Sequence, residues 1–190
     1  MNKRSGFTIV ELLVVIVVIS VLASVTVVAY NGVQQRANAS AVGAAINAYA
    51  KAIRLYKVDN GKYPIPYSGT VARACLGTSA AVYPASGSYT AGSCEFESGS
   101  QLSMYYASVM SALTPYMNGN SPSFPMNTFE TNYYTTGFTI RGIEYYYNSY
   151  YDTVRLRFVV SGPTCPVGGD ENAGTVPSTN NTTMCYYDLK

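Results

Sequence analysis

Apolar residues run almost unbroken from Phe7 to Tyr30, "FTIVELLVVIVVISVLASVTVVAY", and then give way to a spaced pattern. The first stretch holds 24 residues and a single charge, Glu11. At about 1.5 Å per helical residue it spans roughly 36 Å, enough to cross a bilayer core of about 30 Å. From Gln34 to Lys57 the larger apolar residues fall at Val42, Ile46, Tyr49, Ile53 and Tyr56. Alternating steps of four and three draw one stripe along an amphipathic helix, the face that packs on its own domain. The other side is rich in alanine (Ala37, Ala39, Ala41, Ala44, Ala45, Ala48, Ala50, Ala52), whose low bulk lets other helices approach. "DNGKYP" ends the helix, with Gly61 suited to the left-handed C-terminal position and Pro64 blocking a restart. The two patterns predict one helix from Phe7 to Lys57, about 75 Å long by the same rise. With no proline or glycine from Phe7 to Asn31, the helix is predicted continuous through Val28, and any bend or melting is placed at or near Asn31 and Gly32.

Beyond Pro64 the texture changes. "PIPYSGTVARACLGTSAAVYPASGSYTAGSCEFESGS" is rich in Gly, Ser, Ala and Pro and reads as a long irregular excursion bracketed by Cys75 and Cys94. "QLSMYYASVMSALTPYM" places Leu102, Tyr105, Tyr106, Val109 and Leu113 near helical spacing, which predicts a short helix ending at Pro115. In "GFTIRGIEYYYNSYYDTVRLRFVVSG", Val154, Leu156, Phe158 and Val160 alternate with polar or smaller residues; this predicts a hairpin turning at Asn148 and Ser149. Thr182 to Leu189 adds one more candidate strand.

Charge narrows the picture little. Twelve Lys and Arg face ten Asp and Glu; without Lys3 and Arg4 the balance is ten against ten, so a near-neutral body does not indicate DNA or RNA as the main partner. Arg155 and Arg157, alternating along the predicted strand, read as one solvated face rather than a phosphate site. With no histidine there is no triad or proton relay, and neither a G-x-S-x-G elbow nor a phosphate loop is present, so the expectation is a protein that is not an enzyme and has no cofactor. The four cysteines contain no C-x-x-C pair, which argues for disulfides over a metal site and for an oxidising compartment.

Three readings compete for the N-terminus. A secretory signal peptide wants a shorter apolar core and a small-residue cleavage site, and "VLAS" is a poor one. A plain membrane anchor explains the length but not Glu11, since a carboxylate within a spanning segment is costly. The third rests on the whole pattern "KRSGFTIVELLVVIVVI": a short basic leader, Gly6, an apolar Phe7 and then Glu11. It closely resembles the leader junction of type IV prepilins and of the pseudopilins of type II secretion, and "YKVDNGKYP" is similar to their helix exit.

The resemblance implies a set of expectations. The fold is α+β: a long N-terminal helix, half membrane-spanning and half amphipathic, packed on a small antiparallel sheet head. The division is residues 1–6 as leader, 7–30 as transmembrane and polymerisation helix, and 31–190 as head, which includes the amphipathic half at about 33–58. A membrane prepilin peptidase cuts between Gly6 and Phe7 on the cytoplasmic side, and the new Phe7 amino terminus is N-methylated. Glu11, four residues on, meets the Phe7 ammonium of a neighbouring subunit, so that each charge is neutralised in the filament core. The partners are other pilin subunits in a homo-polymer, the peptidase, the inner-membrane assembly machinery and, before assembly, membrane lipid. Before assembly the chain is single-pass in the cytoplasmic membrane with its head outside, since Lys3 and Arg4 keep the N-terminus in the cytoplasm; afterwards it lies in an extracellular fibre for adhesion, motility or DNA uptake. A pseudopilin, or an anchored adhesive protein that never polymerises, is the alternative.

Four cysteines allow three pairings. Sequential ones, Cys75 with Cys94 and Cys165 with Cys185, each close a loop of about 20 residues that has little else to order it, contributing on the order of 3 kcal/mol. The second resembles the disulfide-bound C-terminal loop of many type IV pilins. Asp170, Glu171 and Asp188 are weighed as calcium ligands, as in the major pseudopilins, and read instead as solvated loop charges; no metal is expected. "NAS" and "NNTT" match glycosylation acceptors, a match that carries little weight. Nineteen tyrosines with no tryptophan are unusual. Tyr145 and Tyr147 are expected to face the core or the helix by strand alternation, and others to supply adhesive or inter-subunit surface.

Overall fold

The structure, a computed structural model, describes residues 8–87, 89–97, 100–126, 128–131, 138–162, 164–166, 176–177 and 182–189. The chain forms two compact units, Met1–Arg36 and Ala37–Lys190. Helix α1 (Ile9–Asn60) is one element of 52 residues, and Val28, Asn31 and Gly32 all lie inside it. Its end is the expected one: Gly61 sits at φ 69° and its N–H donates to the Lys57 carbonyl at 2.8 Å, closing the last turn in the left-handed manner glycine permits.

In the second unit the strands are β1 (Val71–Leu76), β2 (Ser93–Glu97), β3 (Ser100–Met104), β4 (Thr128–Thr131), β5 (Phe138–Arg141), β6 (Ile143–Asn148), β7 (Thr153–Ser161), β8 (Val176–Pro177) and β9 (Thr182–Leu189). Between β3 and β4 comes α2 (Ala107–Leu113), with Pro115 in the 3-10 turn that follows. One antiparallel sheet has the order β1-β6-β7-β9-β8 and the other β3-β2-β5-β4.

The larger sheet carries the core. The predicted stripe packs on it, with Val42, Ile46, Tyr49 and Ile53 fully buried and Tyr56 packed at the margin. Tyr145 of β6, Val154, Leu156, Phe158 and Val160 of β7, and Cys185 and Leu189 of β9 meet these side chains, as period-2 alternation requires. Each aliphatic side chain buried there contributes about 1.5–3 kcal/mol. The alanines are divided: Ala45, Ala50 and Ala52 are buried, while Ala37, Ala41 and Ala44 stay exposed.

The second sheet is where expectation and structure part. The stretch read as an irregular excursion contributes β1 and β2, and Leu102 belongs to β3 rather than to a helix. Phe138–Arg141 does not extend the β6–β7 hairpin; the chain leaves the small sheet at Arg141, turns at Gly142 (φ 67°) and enters the large one at Ile143. The hairpin turn itself is four residues, Ser149 to Asp152, with Asp152 at φ 46°. Asn148 stays in β6 and accepts the Tyr150 N–H through Oδ1 at 3.0 Å.

Candidate functional site

The N-terminal turn of α1 is built by two residues. Thr8 precedes the helix and its carbonyl accepts the Leu12 N–H at 3.2 Å, which makes it the N-cap. Its Oγ1 accepts the Glu11 N–H at 3.2 Å, and Glu11 Oε2 in return accepts from the Thr8 N–H and the Thr8 hydroxyl, both at 2.8 Å. This is the reciprocal capping box of T-x-x-E. Between them the two side chains satisfy two backbone donors at the helix start, the Thr8 N–H through the carboxylate and the Glu11 N–H through the hydroxyl. Sequence reasoning assigned Glu11 alone; Thr8 was findable from the three-residue spacing "TIVE". The cut between Gly6 and Phe7 and the methylation of Phe7 fall outside the described residues.

After this turn every described side chain from Ile9 to Tyr30 is exposed in the isolated chain. Among the described residues α1 is the one helix long and apolar enough to cross a membrane, by length and composition. Its hydroxyls turn back on their own helix: Ser20 donates to the Ile16 carbonyl at 2.7 Å, Ser24 to Val21 at 2.8 Å and Thr26 to Leu22 at 2.5 Å. None needs water, so the surface suits lipid or other helices.

In the head, the disulfides are Cys75–Cys94 and Cys165–Cys185. The first ties β1 to β2, where a register irregularity between Ser93 and Glu95 lets the consecutive residues Cys94 and Glu95 both be buried. Asp170 and Glu171 lie outside the described residues. Asp188 pairs with Arg155 through two bonds, Nε to Oδ1 at 2.6 Å and Nη2 to Oδ2 at 2.8 Å.

Arg157 corrects the sequence reading. It is not solvated: its side chain is 14% exposed and lies between two fully buried carboxylates. Its Nη2 donates to Glu95 Oε1 at 2.6 Å and its Nε to Glu144, while Arg73 Nη1 reaches Glu95 Oε2 at 2.7 Å. The reason is the second sheet, which brings Glu95 of β2 over the face of β7 that alternation alone would leave to water. Ser103 lies between the carboxylates, donating to Glu95 Oε2 at 2.8 Å and in close contact with Glu144 Oε1. A serine hydroxyl has one hydrogen, so it cannot donate to both carboxylates at once. Burial, with the Glu95 charge beside it, pushes Glu144 up despite Arg157. Burial acts the same way on Glu95, but the Glu144 hydrogen bond and the Arg157 and Arg73 guanidiniums outweigh it and hold Glu95 below the usual range.

Comparison with known proteins gives the following. Residues 1–27 match the family described as the prokaryotic N-terminal methylation motif. Type II secretion system core protein G of Klebsiella pneumoniae is 38% identical over 69 residues, 36% of this chain and 49% of that protein. The Escherichia coli K12 protein of the same name is 40% identical over 68 residues, 36% of this chain and 47% of the relative. The type IV wide pilus major component PilA4 of Thermus thermophilus is 38% identical over 63 residues, 33% of this chain and 48% of its own length. The chain spans about half the length of the curated relatives it matches. No solved structure matches it.

Proposed function

We propose, from its N-terminal motif and its similarity to these relatives, that the chain is a pilin-type protein and a structural, non-enzymatic subunit of a type IV pilus. A prepilin peptidase cuts between Gly6 and Phe7, the Phe7 amine is methylated, and α1 passes from the membrane into a fibre of like subunits. Before that step the chain is single-pass in the cytoplasmic membrane, with the head outside. The observation that supports this best is the surface from Ile9 to Tyr30, apolar and exposed and with its hydroxyls already satisfied. Burying such a surface is favourable in lipid or among other helices, and in water it has no use.

Glu11 fits the same reading. Thr8 occupies Oε2, and Oε1 is the acceptor we assign to the Phe7 ammonium of the neighbouring subunit. A carboxylate that already caps its own helix is less costly to bury, and one added cation completes its neutralisation.

A second reading has its own support: the similarity to core protein G favours a short secretion pseudopilus. One experiment separates the two. Fibres sheared from cells should contain this subunit, beginning at an N-methylated Phe7 by mass spectrometry. Deletion that blocks protein secretion while leaving no fibre to shear points to the pseudopilus, and an unprocessed, never-polymerised chain overturns both.

A further inference from the structure

The outer face of the large sheet is only partly covered by the small one. In the row Cys75–Glu144–Arg157–Tyr186, Cys75 and Glu144 are fully buried and Arg157 and Tyr186 partly so. Tyr146, Arg155 and Asp188 of the next row, and the pair Asn148–Thr153 beyond it, lie at a cavity of about 280 Å³. Its lining is Tyr146, Asn148, Tyr151, Thr153, Arg155 and Asp188. We propose that this cavity binds one ring of a neutral saccharide.

The charge balance excludes the obvious alternative. Arg155 would attract a phosphate or carboxylate if it were free, but both bonds of its fork are made to Asp188, and its guanidinium lies 5.2 Å from the centre of the Tyr186 ring. The pair is neutral and fixed in place. A guanidinium has five N–H donors and a carboxylate about four lone-pair sites, so each keeps hydrogen-bonding capacity beside the other. An adjacent donor and acceptor with no net charge match neighbouring hydroxyls on a sugar ring. Thr153 adds a hydroxyl. The Asn148 amide is oriented by the bond from Tyr150 to its Oδ1, which leaves its NH₂ end as the donor.

The aromatic component points the same way. Tyr146 and Tyr151 line the cavity; the Arg73 and Arg157 guanidiniums lie over the Tyr146 ring at 5.1 and 5.4 Å, so the stacking face is that of Tyr151, which stands edge-on to Tyr150 with ring centres 4.8 Å apart. A tyrosine ring offers a flat apolar face with a hydroxyl at its rim. A pyranose is its complement, with C–H groups on its faces and hydroxyls at its edge. Five of the six lining residues sit on β6, β7 and β9, so the site is largely pre-formed. At about 280 Å³ it lies near the lower end of ligand cavities, roughly 300 Å³, which limits the occupant to a single ring.

The test uses the full chain in a detergent without a sugar headgroup. D-galactose, D-glucose, D-mannose and N-acetylglucosamine are titrated as probes, with sialic acid and inorganic phosphate as anionic comparators, by saturation-transfer NMR and calorimetry. A neutral sugar should receive saturation on its ring C–H protons. Tyr151→Ala and Asp188→Asn should each weaken it about tenfold, about 1.4 kcal/mol, while Lys51→Ala on the exposed side of α1 leaves it unchanged. Tyr151 is 69% exposed, so its loss does not endanger the fold and a drop in binding there reports the site. The proposal fails if no neutral sugar binds, if sialic acid or phosphate binds better, or if binding survives both cavity variants. It concerns the head alone and stands whichever fibre the chain enters.

Discussion

Arg157 and Glu144 are in direct contact with the carboxylate fully buried, yet burial and the Glu95 charge beside it push the Glu144 carboxyl up. Below the unfolded-chain value near 4.5, Glu144 is protonated whether the head is folded or not and costs nothing. As pH rises toward the folded value of about 8, the unfolded chain loses that proton while the folded head retains it. Stability therefore falls through this window, by up to about 1.4 kcal/mol per pH unit. Glu95, held low, has the opposite sign: its contribution is present above 4.5 and is lost as pH falls toward about 2. Urea unfolding of the full chain across pH 3 to 9 should show a maximum near pH 5. Glu144→Gln should flatten the alkaline side, and an unchanged slope in that variant would remove Glu144 as its source.

Gly142 allows the chain to pass between sheets and tolerates no side chain. A Cβ built there would lie 2.8 Å from Tyr83 Cε1 and 3.0 Å from Met126 Sδ, at a φ of +67°. The Tyr83 ring cannot retreat, because its hydroxyl donates to the Leu76 carbonyl at 2.5 Å and also lies 3.0 Å from the Ile143 carbonyl. Gly142→Ala should destabilise the head by about 2 kcal/mol or more, read as a lower urea midpoint with unchanged slope.

The two roles of Glu11 separate by substitution. Glu11→Gln keeps the reciprocal cap, since Gln serves at this position, but removes the charge. If neutralisation of a neighbour's ammonium drives assembly, Glu11→Gln inserts normally and yields few fibres. Thr8→Val loses the cap at a cost of about 1 kcal/mol and should assemble nearly as the parent does. Normal fibre yield from Glu11→Gln would reduce the carboxylate to a capping group.

Gly32 is the converse of Gly142. Nothing lies within 4 Å of a Cβ built there, and alanine in a helix interior is favoured over glycine by about 1 kcal/mol. Gly32→Ala should slow hydrogen exchange of the amides around Asn31 to Gln34. If the helix melts there on entering a fibre, the same variant lowers fibre yield without reducing the amount of processed subunit in the membrane.

Some of this architecture can be read from residue order and some cannot, for definite reasons. The stripe Val42 to Tyr56 and the alternation Val154 to Val160 each state which face is buried, because burial repeats with the element's own period. Arg157 shares the β7 face of Arg155, and period 2 says only that this face is the far one. Whether it is wet depends on β2, β3 and β5, whose sequences "SCEFE", "SQLSM" and "FTIR" alternate weakly and are held by the Cys75–Cys94 bond and by Glu95. Thr8 was readable from its spacing to Glu11 but was obscured by the stronger signal of a lone charge in an apolar run.

β9 lies between β7 and β8, and its register with β7, from Val154–Leu189 to Ser161–Thr182, is the longest in the sheet. Residues 182–189 emerge after every other strand of that sheet, whether from a ribosome or across a membrane. Until they arrive, β7 presents a bare edge of the kind that recruits foreign strands, and the Cys165–Cys185 bond cannot form. The head is thus a late folder with long-range closure, and under the membrane topology proposed above its open edge is exposed while the N-terminal helix holds the chain. If the helix holds the chain in a membrane as proposed, neighbouring unfinished heads meet at the density of that surface, and the exposed β7 edge is the one most open to a wrong partner.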